Sequence, residues 1–587
     1  MDEHAFDGRH PATPEKVGEP DRTTTRLRLD GRGKTVVDIG RNRLLATATL
    51  FAVGFAVLAW RLVDVTLLEP RHGAGLAALA APAAAVVSRA DILDRNGAVL
   101  ATSLITQSLY ADARLVRDPQ RAARRLVTVL PDLDPDAVLS KLSSGRAFVW
   151  LKRNLTPRQV YAVNRLGQPA LAFVREERRT YPQGPLVAHL VGFTGIDNHG
   201  LAGVERSFEN RLRLQPGDPL RLSVDLRFQH VLRQELSAAM AEFRPIGAVG
   251  LVLDVETGEV VAMVSLPDFD PNQPGVGDRA ALFNRATLGV YEMGSTFKTI
   301  TAAMALDMGT VTLQDGYDAS EPLRIGRHVI RDFHAQSRWL SVPEIFMYSS
   351  NIGAAKMALG VGTQAQIAYL DRLGLLAPSP IELPEVATPL FPERWREINT
   401  ATIGFGHGVA VSPVQLGASV AALVNDGIAR TTTVLKRDRA ALAPGRPVIS
   451  ARASRLVRQL MRLVVTHGTG RKADAPGYMV GGKTGSAEKV NGRGYDRHRL
   501  LSSFIAAFPI NKPRYLVLVL LDEPKGNAST HGYATAGWTA APVVGRVIAR
   551  IGPLAGLAPV APSLNEPAPV EGLSVSLDGS EIRLAAF

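Results

Sequence analysis

Ser295-Thr296-Phe297-Lys298, Ser349-Ser350-Asn351 and Lys483-Thr484-Gly485-Ser486 follow one another along this chain, and their joint reading decides the fold. A serine hydroxyl is a poor nucleophile at neutral pH and needs a base within hydrogen-bond reach. In a helix, positions i and i+3 share a face, so Lys298 lies one turn from Ser295. Gly294 precedes the pair, and Phe297 to Leu306 reads as an apolar, buried helix. That pattern predicts Ser295 in the first helical turn, where the dipole favours developing negative charge. Lys298 acts as a base only when neutral, and burial beside another cation lowers a lysine pKa. Lys483 is the expected second cation. An isolated S-x-x-K is more often a surface lysine one turn from a capping serine, so the weight rests on the three runs together.

Ser349 and Asn351 give such a site a second hydroxyl and an amide. The hydroxyl can pass a proton between Lys298 and a leaving amine, and the amide can hold a peptide carbonyl. Read alone, Tyr348-Ser349-Ser350-Asn351-Ile352-Gly353 is an ordinary helix cap. The third run reads as a strand, Tyr478 to Ala487, in which Gly485 lets substrate approach the backbone and the Thr484 and Ser486 hydroxyls suit a carboxylate. The N–H groups of Ser295 and Ser486 are the candidate oxyanion hole, a device worth roughly 3–4 kcal/mol per donor. A rival pattern crosses the same strand, because Gly477-Tyr478-Met479-Val480-Gly481-Gly482-Lys483-Thr484 matches the Walker A motif. A P-loop needs a strand before it and a helix after it. Here a helical pattern (Ala451 to Val465) and a loop precede it, and Asn491-Gly492-Arg493-Gly494 follows, which cannot open a stable helix.

The three runs, in this order, are the signature set of serine acyl-transfer enzymes acting on penicillin-like or D-alanyl-D-alanine substrates. They resemble the active site of class B penicillin-binding proteins, the monofunctional peptidoglycan D,D-transpeptidases. Other blocks share the likeness. Tyr291-Glu292-Met293-Gly294-Ser295 resembles the family's Y-E-P-G-S stretch, with Met293 for proline. Arg89-Ala90-Asp91-Ile92-Leu93-Asp94-Arg95-Asn96-Gly97 resembles R-G-x-I-x-D-R-N-G, with alanine for the first glycine. Asp254 to Met263, Arg179 to Phe193 and Gly200 to Glu205 match further blocks, so the resemblance runs from about Arg89 to Val544. Gly404 to Leu416, Gly468 to Ala473 and Gly482 to Lys489 look more like the cell-division (FtsI-type) branch than the elongation branch.

The resemblance implies an α+β fold: a five-stranded antiparallel sheet covered by helices, with a helical subdomain. It implies catalytic roles for Ser295, Lys298, Ser349, Asn351 and Lys483, and substrate binding by Thr484, Gly485 and Ser486. It also implies partners: peptidoglycan stem peptides on a lipid-linked precursor, β-lactams as inhibitors, a lipid-linked glycan polymerase and other division-site membrane proteins. A two-step acyl transfer is expected. Ser295 attacks the penultimate D-alanine carbonyl, the terminal D-alanine leaves, and an amine of a neighbouring stem attacks the acyl-enzyme. No E-x-x-L-N segment of the kind that activates water in β-lactamases lies between Asn351 and Lys483, so the acyl-enzyme should hydrolyse slowly. A D,D-carboxypeptidase would use the same residues and hand the acyl group to water, and a non-catalytic scaffold or β-lactam sensor would keep them unused.

Composition fits an envelope protein. With 587 residues the chain is too long for one core. It has no cysteine, so disulfides and thiolate metal sites are excluded. No clustered histidine–carboxylate motif occurs, and neither metal nor cofactor is expected. The net charge of +12 comes without a basic stripe interleaved with aromatics, which argues for anionic lipid or an anionic lipid-linked substrate over nucleic acid. Leu44 to Trp60 is an uncharged run spanning about 25 Å as a helix, near the lower limit for a bilayer. Between Arg22 and Arg43 seven basic residues face only Asp30 and Asp38. That bias predicts a cytoplasmic N-terminus and a periplasmic bulk, anchored in the inner membrane by one uncleaved helix. The A-x-A-like triplets of Ala77 to Ala85 lie too far past Arg61 to favour a cleaved signal peptide.

The organisation read from the chain is a cytoplasmic disordered tail (1–41), a transmembrane helix (42–62), an elongated α+β pedestal or dimerisation module (63–221), the transpeptidase domain (222–556) and a C-terminal tail (557–587). In the pedestal a hairpin turns at Asn96-Gly97, helices cover Pro119–Val129, Pro135–Leu142 and Pro157–Leu166, and Glu205 with Arg206 reads as structural salt-bridging. Strands are expected at Val249–Asp254, Val260–Ser265, Tyr478–Ala487, Ser503–Pro509 and Tyr515–Asp522, with a closing helix at Trp538–Ile551. His407, Arg493, Tyr495 and His531 are candidates for the cleft lining.

Overall fold

The computed structural model describes residues 32–63, 89–490, 494–560, 569–577 and 580–585. Helix α1 (Arg32–Val63) stands by itself. Its segment Leu44–Arg61 is, among the described residues, the one helical stretch long and apolar enough to cross a bilayer. The helix begins well before that segment, so Arg32 to Arg41 are helical where the polar composition predicted a disordered tail. Once the apolar turns have met the nucleation cost, adding a residue costs little, and Val36, Val37 and Ile39 oppose it weakly. The rest of the expected tail and most of the expected linker lie outside the described residues.

The N-terminal part of the second unit is built on a sheet of β1 (Ile92–Leu93), β2 (Val99–Ala111), β3 (Val149–Leu155), β4 (Leu171–Thr180) and β5 (Leu220–Arg221). The strand order is β3-β2-β1-β5, and β4 also pairs with β2. The β1–β2 connection turns at Gly97, whose φ of +93° suits glycine, and the Asp94 carboxylate accepts the N–H groups of Asn96 and Ala98 at 2.8 Å each. Helices α2 (Pro119–Val129), α3 (Pro135–Leu142) and α4 (Pro157–Asn164) each begin with proline after an Asp118, Asp134 or Thr156 cap. The third ends two residues before the predicted Leu166. Leu126, Leu130, Val138 and Leu142 pack on Leu109, Leu151 and Leu155 to form this module's own core. Glu205 is structural, as read: it is fully buried between the Nε atoms of Arg89 (2.5 Å) and Arg179 (2.7 Å). Its neighbour Arg206 acts on Glu385 instead, where burial pushes the carboxyl pKa up and the Arg206 charge opposes that shift.

The C-terminal part opens with α5 (Leu226–Phe243), β6 (Gly247–Asp254) and β7 (Val260–Leu266). A helical middle follows, with α6 (Lys298–Met308), α7 (Val342–Tyr348), α8 (Asn351–Val361), α9 (Pro413–Val424) and α10 (Ala451–Thr466). Strands β8 (Gly481–Val490), β9 (Tyr495–Phe508) and β10 (Tyr515–Asp522) and helix α11 (Ala540–Leu554) complete it. The five strands form one antiparallel sheet in the order β8-β9-β10-β6-β7, as expected. Both faces are covered. On β10, Leu516, Leu518 and Leu520 pack with Ile300, Val420 and Leu460 of the helical middle. The alternate residues Val517, Val519 and Leu521 pack with Leu232 of α5 and Val547 of α11. That double burial is why β6 and β10 read as unbroken apolar runs rather than alternating ones.

Two strands differ from the reading. β9 starts at Tyr495, eight residues before the predicted Ser503, because its first turn-proximal residues are polar and carry no apolar alternation. β8 starts at Gly481 and continues to Val490, pairing Lys489 with Asp496. The Walker-like run therefore feeds a strand rather than a helix, and no phosphate cradle forms. In the C-terminal tail, Pro569–Leu577 and Ser580–Ala585 pair as an antiparallel hairpin that the proline- and alanine-rich composition did not announce.

Candidate active site

The nucleophile candidate sits where the helical middle meets the edge strand β8. Gly294–Phe297 forms a single 3-10 turn and α6 begins at Lys298, so Ser295 precedes the α-helix instead of lying in its first turn. The spacing of three still holds Ser295 and Lys298 about one turn apart. Two glycines allow this packing. A Cβ on Gly406, at φ +88°, would lie 2.0 Å from the Gly294 carbonyl oxygen. A Cβ on Gly485 would lie 2.5 Å from Ser503 Oγ and 2.7 Å from the Met293 carbonyl oxygen. The sequence reading gave Gly485 the task of admitting substrate. In the structure its close neighbours are Ser503 and the loop that carries Ser295.

Lys298 and Lys483 converge on one hydroxyl. Ser349 Oγ accepts from Lys298 Nζ at 3.2 Å and from Lys483 Nζ at 2.9 Å. Lys298 also donates to the Ser349 carbonyl at 2.5 Å and to Asn351 Oδ1 at 2.8 Å. Lys483 has a further acceptor in the Thr484 carbonyl at 3.2 Å. Both lysines are buried, with 2% and 0% of their surface exposed. Burial lowers the Lys298 pKa to about 7, against an opposing pull from the Asp332 carboxylate. Burial, and then the charge of Lys298, push Lys483 well below the ordinary lysine range. A neutral Lys298 is therefore available near pH 7. Among the described residues no hydrogen bond engages the Ser295 side chain: Lys298 Nζ bonds Ser349 and Asn351, and the direct hydrogen bond expected between the serine and its base is not formed here.

The middle motif is held by a residue the sequence did not single out. Ser349 closes α7 in the left-handed conformation, at φ 62° and ψ 44°. Ser350 then caps α8, accepting the Gly353 N–H at 3.0 Å. Asp332 ties the junction down by accepting Ser350 Oγ (2.7 Å), the Asn351 N–H (2.5 Å) and the Ile352 N–H (2.9 Å). A lone aspartate in a loop carries no sequence signal for this. The Asn351 amide, expected to hold a substrate carbonyl, is already occupied. Its Oδ1 accepts from Lys298, and its Nδ2 donates to the Arg331 carbonyl at 3.0 Å. One N–H of that amide remains for a ligand.

On β8, the Thr484 hydroxyl meets Thr469 Oγ1 at 2.7 Å, and Ser486 Oγ accepts the Ala536 N–H at 3.0 Å. The Ser486 backbone runs against the turn before the nucleophile, its carbonyl 3.1 Å from the Cβ position of Gly294. The loop ending at Ala536 brings an aromatic group: Tyr533 stacks on Trp538, and His531 meets the same ring edge-on at 5.3 Å. His407 packs edge-on against Tyr495 at 5.1 Å, and its pKa is lowered to about 4 by burial and by Lys298. Arg493 lies outside the described residues.

Similarity to known proteins extends over most of the chain. Residues 248–548 match the penicillin-binding protein transpeptidase domain, and residues 84–219 match the penicillin-binding protein dimerisation domain. A probable peptidoglycan D,D-transpeptidase FtsI of Caulobacter vibrioides is 43% identical over 504 residues, covering 83% of this chain and 85% of that one. The peptidoglycan D,D-transpeptidase FtsI of Escherichia coli is 31% identical over 496 residues, covering 78% and 82%. The crystal structure of penicillin-binding protein 3 from Mycobacterium tuberculosis complexed with aztreonam superposes with a TM-score of 0.64 at 22% identity, covering 81% of this chain and 98% of that one.

Proposed function

The chain belongs to the class B penicillin-binding proteins, and from that premise we infer that Ser295 is the acylated nucleophile of a peptidoglycan D,D-transpeptidase serving cell division. The observation that carries the assignment is the single hydroxyl of Ser349 held between the two buried lysines, at 3.2 and 2.9 Å. Neutral Lys298 takes the Ser295 proton as Oγ attacks the penultimate D-alanine carbonyl of a stem peptide. Ser349, in contact with both amines, relays that proton to the nitrogen of the departing D-alanine. The N–H groups of Ser295 and Ser486 receive the oxyanion, roughly 3–4 kcal/mol for each donor. Thr484 and Ser486 receive the terminal carboxylate, and Asn351 holds the base and offers its free N–H to the donor peptide. A second stem's amine then releases the acyl group as a cross-link. β-Lactams enter by the same attack and are held as the acyl-enzyme.

We assign the pedestal role to residues 63–221 and catalysis to 222–556, with 1–41, the span 42–62 and the tail 557–587 outside both. The basic bias before the apolar span Leu44–Arg61 supports a cytoplasmic N-terminus and a periplasmic catalytic domain. A lipid-linked glycan polymerase and other division-site membrane proteins are the partners this placement would meet. Labelling with a fluorescent penicillin tests the nucleophile: the wild type should be labelled and Ser295→Ala should not. Equal labelling of the two would falsify the assignment.

A further inference from the structure

Glu292, His407 and Tyr495 form a second polar group beside the lysines, and the acylation steps above use none of them. Glu292 is three residues before the nucleophile, on a short strand Tyr291–Glu292 that pairs with Ala410–Val411. One carboxylate oxygen, Oε1, accepts the Gly408 N–H at 2.7 Å and the Tyr495 hydroxyl at 3.2 Å. The other, Oε2, is buried and has no partner among the described residues. His407, one residue before Gly408, presents a buried Nδ1 that is equally unpartnered. Tyr495 joins the two, bonded to the carboxylate and packed edge-on against the imidazole.

Buried polar atoms are seldom left unpaired, and two such exceptions in one cluster point to a group that arrives from outside. The chemistry of these two atoms restricts what arrives. A carboxylate oxygen only accepts hydrogen bonds, and Nδ1 of an imidazole protonated at Nε2 also accepts. Burial and the nearby Lys298 charge keep His407 neutral, and in its Nε2-protonated tautomer Nδ1 carries the lone pair. Two acceptors in one cluster call for a donor of two N–H bonds, and a carboxylate adds attraction for a cation. A carbonyl or carboxylate ligand would be repelled there. A primary amine fits.

We propose that Glu292 and His407 are the acceptor-binding residues of the transpeptidase, receiving the primary amine of the second stem peptide, with Tyr495 positioning Glu292. The inference rests on reading Ser295 as the acylated nucleophile. Glu292 gathers the amine in its cationic form, and the free base present at equilibrium attacks while its two N–H bonds are held. The new C–N bond forms as the C–Oγ ester bond to Ser295 breaks. One amine proton stays on the product amide; the other leaves its acceptor as the C–N bond forms and passes through Lys298 to Ser295 Oγ. Holding an amine at this position would favour amine over water as the acyl acceptor.

The test uses the full-length protein in detergent, a thioester mimic of the donor stem peptide, and D-alanine as the amine probe. Aminolysis and hydrolysis products are measured together against D-alanine concentration, beside the rate of acylation by fluorescent penicillin. Glu292→Gln and His407→Phe should be acylated at close to the wild-type rate. The D-alanine concentration for half-maximal aminolysis should rise about ten- to hundredfold, the effect of losing one charge-assisted hydrogen bond. Tyr495→Phe should show a smaller shift in the same direction. An unchanged aminolysis-to-hydrolysis ratio in both variants would overturn the proposal, as would a parallel loss of acylation and aminolysis, which marks a structural role. A wild type that penicillin fails to acylate would remove the underlying reading, and this proposal with it.

Discussion

Replacing Ser349 by alanine and, separately, by glycine divides the two things this residue does. Its hydroxyl is the meeting point of Lys483 and Lys298, at 2.9 and 3.2 Å. Its backbone adopts φ 62°, a conformation that costs a non-glycine residue about 1–2 kcal/mol. Both variants lose the relay, so acylation by penicillin should fall about 10²–10⁴-fold in each. That is about 3–5 kcal/mol of barrier. Neither should collapse the site, because Lys298 keeps the residue-349 carbonyl and Asn351 Oδ1, and Lys483 keeps the Thr484 carbonyl. Their stabilities should differ in the opposite sense to a simple loss of contacts. Glycine relieves the left-handed strain at some cost in unfolded-state entropy, which leaves it about 0.5–1 kcal/mol more stable than alanine. The assay is the second-order rate of fluorescent-penicillin acylation, run beside thermal melts of the same preparations. Wild-type acylation by either variant would refute the relay. Acylation lost in alanine and restored in glycine would transfer the role from hydroxyl to backbone.

Three further outcomes follow from the geometry. Lys298 is a base only when deprotonated, so acylation should fall with decreasing pH through an inflection near the Lys298 value of about 7. Asp332→Asn removes the charge that raises that value and should move the inflection to lower pH; a profile unaltered by the substitution would contradict the coupling. Gly485→Ala puts a methyl against Ser503 Oγ and the Met293 carbonyl, so the nucleophile turn must shift. A loss of about 1–3 kcal/mol in stability together with slower acylation is expected, and wild-type values for both would disprove the packing. Glu205→Ala leaves Arg89 and Arg179 buried without their shared carboxylate, and should cost about 3–5 kcal/mol of pedestal stability in denaturant titration.

Much of this was legible because the chemistry is local. An i, i+3 serine and lysine before an apolar helix, a serine–asparagine pair at a helix boundary and a glycine-rich lysine strand are each ambiguous alone, and their occurrence together in this order carries the meaning. β10 was read to the residue because both its faces are buried and its apolar run ends where the burial ends. β9 was read short because Tyr495 to Ser502 carries charge and lacks a period, and its pairing with β8 supplies what the pattern does not. Asp332 was invisible because its partners are backbone N–H groups and a hydroxyl 18 to 20 positions away. The intramolecular neighbours of Gly485 and Asn351 were hidden for a related reason, because they come from segments distant in the chain. Helix α1 shows the converse, where polar composition predicted disorder at Arg32 to Arg41 and helix propagation overrode it.

The account depends on one covalent bond, and peptide mapping observes it directly. The full-length protein would be incubated with benzylpenicillin, denatured, digested with trypsin and analysed by mass spectrometry. The peptide from Ala286 to Lys298 should carry the mass of one intact penicillin, with fragmentation placing it on Ser295. An adduct on any other residue, or none on this peptide while the protein as a whole gains the drug's mass, would contradict the site described above.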